Sequence, residues 1–207
     1  IVGESGSGKS TIARTVMGLG KPSGGRLAVH AASVQMVFQD AVGSLNPRMT
    51  ARQTLAEVLK IKRNPQSPED LLARVGLSAA VLDQYPREMS GGQCQRVSIA
   101  RALACRPDVL VADEPVSALD VSVQARVLNI LRDLRKEMGL AILLIAHDLA
   151  VVKNVCDRIC VMQKGVFVDA GPAEQVFAHP ASDYTRRLLD AVPDVARALA
   201  ERREGAA

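Results

Sequence analysis

Three groups of residues in this 207-residue chain have types and spacings that can do chemistry. The first is GESGSGKS, where Gly3, Gly8, Lys9 and Ser10 fit the pattern G-x-x-x-x-G-K-[ST]. Glycines there let backbone N–H groups turn inward on an anion, and a helix starting behind them adds its positive end. Lys9 can reach the β- and γ-phosphates, and the Ser10 hydroxyl can ligate Mg²⁺. The stretch Gly3, Glu4, Ser5, Gly6, Ser7, Gly8, Lys9, Ser10 and Thr11 therefore reads as a cradle for a nucleoside triphosphate. The second group is Asp113 and Glu114, which close the apolar run in DVLVADEP, where open α/β sheets bind ligands at strand carboxyl ends. Asp113 can hold the Mg²⁺, and Glu114 can orient and polarise an attacking water. The third is MSGGQ, residues 89–93, in which Ser90, Gly91 and Gly92 open a helix and form a second anion site. One nucleotide does not need both sites. A head-to-tail pair of chains uses both, with Ser90 of one facing the γ-phosphate held by the other.

The elements that must position these groups follow from apolar spacing. Ile1 and Val2 read as the end of a strand, GESGSG as a loop, and Lys9 to Leu19 as a helix stopped by Gly20. VQMVF, residues 34–38, reads as a strand. Residues 44–89 carry several prolines and short helical patterns (TARQTLAEVLK, SPEDLLARVGL), which indicate a small helical subdomain. A helix runs from Ser90 to about Ala104. DVLVADEP and LAILLIA (140–146) are buried strands, and between them Val127, Leu131, Leu134 and Met138 share one helix face ending at Gly139. RICVMQKGVFVDAG predicts a hairpin turning at Lys164–Gly165, and a helical tail follows Pro172, fraying at ALAERREGAA. Strands alternating with helices predict an α/β fold with a mostly parallel sheet.

Composition narrows the function classes. Hydrophobic residues are 48% and aromatics 2%, so the chain has an aliphatic core. A net charge of +4 without a basic run reads as an ordinary solvated surface, and no nucleic-acid partner is expected. Cys94, Cys105, Cys156 and Cys160 have no metal-site spacing and read as reduced, mostly buried thiols. LAILLIA is far short of the roughly 20 residues that cross a bilayer. His30 and His179 read as structural or solvated.

In order along the chain, GESGSGKS, the glutamine of VFQD, MSGGQ, VLVADEP, SALD and the histidine of AHD resemble the motifs of the nucleotide-binding subunits of ATP-binding cassette (ABC) transporters. QMVFQD, SLNPRMT, YPREMSGGQ, ADEPVSALDVSVQA and DYTRRLL further resemble the oligopeptide, dipeptide and nickel importers. The resemblance implies a P-loop NTPase over residues 1–192, with a RecA-like core at 1–40 and 105–170, a helical subdomain at about 44–104 and a tail at 193–207. It implies ATP and Mg²⁺ as ligands. It assigns catalysis to Glu114, His147 and Gln39, with His147 touching the γ-phosphate and Gln39 contacting Mg²⁺ and water at a coupling hinge. Mg²⁺ falls to Ser10, Gln39 and Asp113. Ser90, Gly91, Gly92 and Gln93 form the contact in trans, and Asp120 lies in the segment crossing between subunits. The implied partners are a second ABC ATPase subunit, identical or paralogous, integral-membrane permeases docked near residues 40–60, and indirectly a substrate-binding protein. The implied place is the cytoplasmic face of the membrane.

The chain also departs from the family pattern. Only Ile1 and Val2 precede the phosphate loop, and no aromatic that could stack on adenine comes before Phe38. The expectation is a fragment lacking most of the N-terminal antiparallel β-region. The segment from Gly25 to Ser33 is short, and Cys94 stands where a basic residue is common, open to oxidation if exposed. With no cysteine after Cys160, no iron–sulfur or zinc site is expected. Two other readings stand beside an import motor: a non-catalytic or inactive ABC fragment, and a soluble ABC ATPase acting on nucleic acid. Against the latter, only about fifty residues separate Gln39 from Ser90, without sustained heptads.

Overall fold

Val109–Asp113 (β2) is hydrogen-bonded along both edges, as the central strand of a three-stranded sheet. Leu110, Val111 and Ala112 are each fully buried, which is why this strand reads as a continuous apolar run and not an alternation. The structure is a computed structural model, and it describes residues 1–153 and 155–191. The expected tail at 193–207, and the end of the expected domain at 192, lie outside the described residues. Backbone contacts divide the chain into two compact units. One is Lys9–Ala146; the other is Ile1–Gly8 with the described residues from His147 on.

In the Lys9–Ala146 unit, β2 pairs in parallel with Val34–Val37 (β1) and Ala141–Ile145 (β3). Parallel neighbours need long crossovers. β1 reaches β2 through the helices Ala51–Ile61 (α2), Pro68–Arg74 (α3) and Gly91–Leu103 (α4), and β2 reaches β3 through Val121–Met138 (α5). Thr50 with Gln53, Ser67 with Asp70, and Ser90 with Gln93 each form a reciprocal capping box that fixes where α2, α3 and α4 begin. Leu55, Leu71, Leu72, Leu82, Ile99 and Leu103 are fully buried among these helices, each contributing about 1.5–3 kcal/mol of apolar burial. Asn64 ties this layer together. Its Nδ2 donates to Ala104 O at 2.9 Å, and its Oδ1 accepts from Arg106 Nη2 at 3.1 Å. Asp108 receives the amides of Ala32 (2.7 Å) and Ser33 (2.9 Å), pinning the chain where it enters β1.

The first helix, Lys9–Val16 (α1), is shorter than its apolar spacing predicts, and its stop is Gly18, not Gly20. Gly18 has φ 73°, its N–H donates to Thr15 O at 3.0 Å, and Leu19 N–H donates to Arg14 O at 2.8 Å. These two bonds form a Schellman closure that satisfies the last carbonyls. Leu19 lies past it and is 66% exposed, so it takes no part in the helix face. Phe38, expected to end a strand, is 41% exposed beyond β1.

In the other unit, Arg158–Gln163 (β4) and Val166–Pro172 (β5) pair antiparallel about Lys164–Gly165. Both turn residues have positive φ, as a tight two-residue hairpin requires. Val2 is not in a strand; it makes one isolated parallel bridge to Val161 and is fully buried. Leu149–Lys153 (α6), Ala173–Ala178 (α7) and Asp183–Asp190 (α8) complete the unit. Among the described residues, no helix is long and apolar enough to cross a membrane.

Candidate functional site

The phosphate-loop residues Gly3 to Gly8 are held by the β4–β5 hairpin. Val2 N donates to Cys160 O at 2.9 Å, Met162 N to Val2 O at 2.7 Å, and Gly165 N to Ser7 O at 3.0 Å. A Cβ on Gly3 would lie 2.1 Å from Met162 O, so no side chain fits there. Ser7 is 5% exposed, and among the described residues its Oγ has no hydrogen-bond partner. A buried hydroxyl without a protein partner, in a glycine-rich loop, is chemically suited to a phosphate oxygen. The loop also has a partner that sequence spacing does not announce. Tyr184 of α8 is 5% exposed, and its hydroxyl accepts from Glu4 N at 3.1 Å. His147 and Asp148 open the second part of this unit. His147 is exposed, and Asp148 Oδ1 accepts from Ala150 N at 2.7 Å at the start of α6.

In the Lys9–Ala146 unit, Asp113 ends β2, with Glu114 just beyond it, and Gln39 follows β1. Lys9 is 4% exposed at the start of α1. Ser10 Oγ donates to Asp113 Oδ1 at 3.2 Å, which brings together the hydroxyl and carboxylate expected to hold Mg²⁺. One hydroxyl and one carboxylate form an oxygen set suited to a Mg²⁺ that shares substrate phosphates. Among the described residues, no three His, Cys, Asp or Glu gather into a metal cage of their own. Thr11 is exposed on α1, where its carbonyl receives Thr15 Oγ1 at 2.7 Å.

Glu114 leaves β2 with φ 45°, a left-handed conformation uncommon outside glycine. Its N–H donates to Ile145 O at 3.0 Å and its carbonyl receives Ser117 Oγ at 3.2 Å, which over-determines the turn. Gln39 Nε2 donates to Glu114 Oε2 at 3.1 Å and reaches Ser117 Oγ at 3.4 Å. Gln39 and Glu114, 75 positions apart, are thus directly joined.

At the start of α4, Ser90 is exposed and its hydroxyl accepts from Gln93 N at 3.2 Å, while Ser90 N donates to Gln93 Oε1 at 2.7 Å. Gly91 is exposed. Gly92 is buried, and a Cβ there would lie 2.4 Å from Val123 Cγ1, so this glycine lets α4 approach α5. Cys94 is fully buried, its Sγ lies 3.5 Å from Pro86 O, and burial pushes its thiol up, so the possibility of surface oxidation falls away. Asp120 caps α5. The Ser122 hydroxyl (2.7 Å) and the Val123 amide (3.0 Å) hold its carboxyl below the usual carboxylate range.

The family model described as ABC transporter matches residues 1–117. The chain is 45% identical to the oligopeptide transport ATP-binding protein OppF of Escherichia coli, over 93% of the chain and 64% of that protein. It is 46% identical to the probable D,D-dipeptide transport ATP-binding protein DdpF of the same organism, over 97% of the chain and 68% of that protein. The chain thus spans 64% of the length of OppF. Its backbone is similar to cbiO1 of Clostridium perfringens, part of the ABC transporter complex cbiONQ, with TM-score 0.74 and 29% identity over 96% of this chain and 85% of that one. A dimeric ATP-binding cassette in a post-hydrolysis state, bound to ADP and Pi, matches with TM-score 0.72 and 28% identity over 83% of each chain. The chain belongs to the ABC transporter family.

Proposed function

We propose that this chain is the ATP-binding and ATP-hydrolysing motor of an importer for peptides or similar small solutes, nickel included. The observation that carries the catalytic part is the Gln39–Glu114 hydrogen bond at 3.1 Å, beside the Ser10–Asp113 pair at 3.2 Å. The transport names of the relatives support the cargo class.

Each residue has a task within its own unit. Ser7 Oγ and the loop amides bind phosphate oxygens, and Lys9 adds positive charge. Ser10 and Asp113 would hold Mg²⁺, with Gln39 as a further contact; when bound, the ion neutralises charge on the phosphate oxygens. Glu114 orients water for attack and accepts its proton. While Gln39 donates to Glu114, the carboxylate is engaged, so release by Gln39 is the step that arms it. His147 is assigned the γ-phosphate contact. Ser90, Gly91, Gly92 and Gln93 face the nucleotide of a second, head-to-tail subunit, with Asp120 in the crossing segment. The helical subdomain near residues 40–60, where Val42 is 48% exposed, would dock on integral-membrane permeases, which a substrate-binding protein would supply. The chain would then work at the cytoplasmic face of the membrane.

The test is steady-state ATP hydrolysis over a range of protein concentrations. Turnover per chain should rise with concentration, and Glu114→Gln should lower it by about 10²–10⁴-fold. Turnover independent of concentration and unchanged in Glu114→Gln would sink the reading. Nucleotide binding without turnover would favour a non-catalytic ABC module.

A further inference from the structure

The Glu4–Ser7 stretch of the phosphate loop is a tight turn. Ser7 N donates to Glu4 O at 3.2 Å, and Gly6, the third of its residues, has φ 79°, as a type II turn requires. A turn closed by such a bond moves as a unit, so whatever fixes Glu4 also fixes Ser5, Gly6 and Ser7. Its far end is held by the β4–β5 hairpin, where Gly165 N donates to Ser7 O at 3.0 Å. Its near end is held by α8: Glu4 N donates at 3.1 Å to the Tyr184 hydroxyl, 180 positions away. Tyr184 is itself fixed. Its side chain is buried, the Ser182 hydroxyl accepts from Thr185 N at 3.0 Å, and Ala181 N donates to Asp169 Oδ2 at 2.7 Å, which ties the start of α8 to β5. The hairpin therefore holds the turn twice, once directly and once through Tyr184. Packing at this position needs only a ring, which phenylalanine would supply; the hydroxyl has the separate task of meeting the loop amide.

We infer that Tyr184 is a positioning residue of the phosphate site: its hydroxyl fixes the Glu4 amide, and with it the turn that presents Ser5, Gly6 and Ser7 to the phosphate chain. The inference rests on the reading of GESGSGKS as the triphosphate cradle. A turn set before the ligand arrives lowers the cost of ordering it on binding. Tyr184 acts through Glu4 and not on the reacting atoms, so its loss weakens the hold on phosphates and leaves the chemical step alone.

The test compares Tyr184→Phe, which keeps the ring, with Thr185→Val, which removes a neighbouring buried hydroxyl that pairs with Ser182 and not with the loop. The non-hydrolysable analogue AMP-PNP and inorganic tripolyphosphate, each with Mg²⁺, are titrated by calorimetry. Tyr184→Phe should weaken both by the same factor, about threefold to tenfold, the worth of one hydrogen bond. In steady-state hydrolysis its KM for ATP should rise by a like factor while kcat stays within about twofold of the parent's. Thr185→Val should lower the urea midpoint and leave both affinities and KM unchanged. Unchanged affinities in Tyr184→Phe, or an equal loss in Thr185→Val, overturn the inference. A loss confined to AMP-PNP overturns it too, since the effect would then lie at the nucleoside. A fall in kcat with KM unchanged does the same, because it marks a role in the chemical step. If the parent binds AMP-PNP but does not hydrolyse ATP, the motor assignment fails while the titrations still decide Tyr184. A parent that binds neither probe overturns both readings.

Discussion

The two serine- and glycine-rich loops, GESGSG and SGG, use the same residue types for different physical ends. In the first, Gly3 is pressed against the backbone carbonyl of Met162, and Ser7 keeps a buried hydroxyl without a partner among the described residues. In the second, the Ser90 hydroxyl is already satisfied by Gln93, and Gly92 is demanded by the Val123 side chain of α5. The first loop leaves a buried hydroxyl unmet by its own neighbours. The second is a complete helix start whose exposed edge, Ser90 and Gly91, is free to meet something else. Glycine in a motif therefore signals close approach, and only the neighbour shows whether a phosphate or a helix does the approaching.

Substitutions can break this contrast. The largest effect is expected for Gly3→Ala. Its Cβ meets backbone, which cannot swing aside, so the loss should reach or exceed about 3 kcal/mol in urea unfolding, and nucleotide binding should go with it. Gly92→Ala should cost about 1–3 kcal/mol, because the atom it meets belongs to a stiff β-branched side chain. Val123→Ala should restore much of that loss in the double variant. An equal loss without rescue would show that Gly92 matters through something other than α4–α5 packing.

The serines sharpen the contrast further. Ser90→Ala should lower stability by about 1 kcal/mol through the lost cap. Ser7→Ala should leave stability unchanged or slightly raised while weakening ATP binding, since it removes an unmet polar group. A stability loss in Ser7→Ala matching that of Ser90→Ala would erase the distinction. The smallest effect concerns Asp120. Its hydrogen bonds from Ser122 and Val123 favour the charged form, so its folded pKa lies below the unfolded one. The stabilisation is present above the unfolded pKa and lost as pH falls through the folded pKa. Parent and Asp120→Asn urea midpoints should therefore converge below about pH 4.

The parts of this design that sequence spacing revealed are the local ones. β2 and β3 show as apolar runs, the hairpin shows in Lys164–Gly165, and the start of α4 shows in Ser90 with Gln93, because each signal lies within a few positions of the element it specifies. That Gln39 belongs to the site comes only from the resemblance to a family, and its bond to Glu114 is visible only in the structure, since no spacing rule links positions so far apart. The end of α1 was misplaced because Leu19 extends the apolar rhythm, whereas the stop is set by carbonyl pairing at Gly18. The Gly92–Val123 contact, the unmet Gln95 amide and the Tyr184–Glu4 bond depend on tertiary neighbours and leave no periodic trace.

Tyr184 also has an optical consequence. The chain has no tryptophan and only two tyrosines, and one of them is buried with its hydroxyl on the Glu4 amide of the phosphate loop. Any movement of that loop alters the surroundings of half the chain's ultraviolet chromophores of this type. A ligand that displaced the Glu4 amide would register in intrinsic tyrosine emission, without a label.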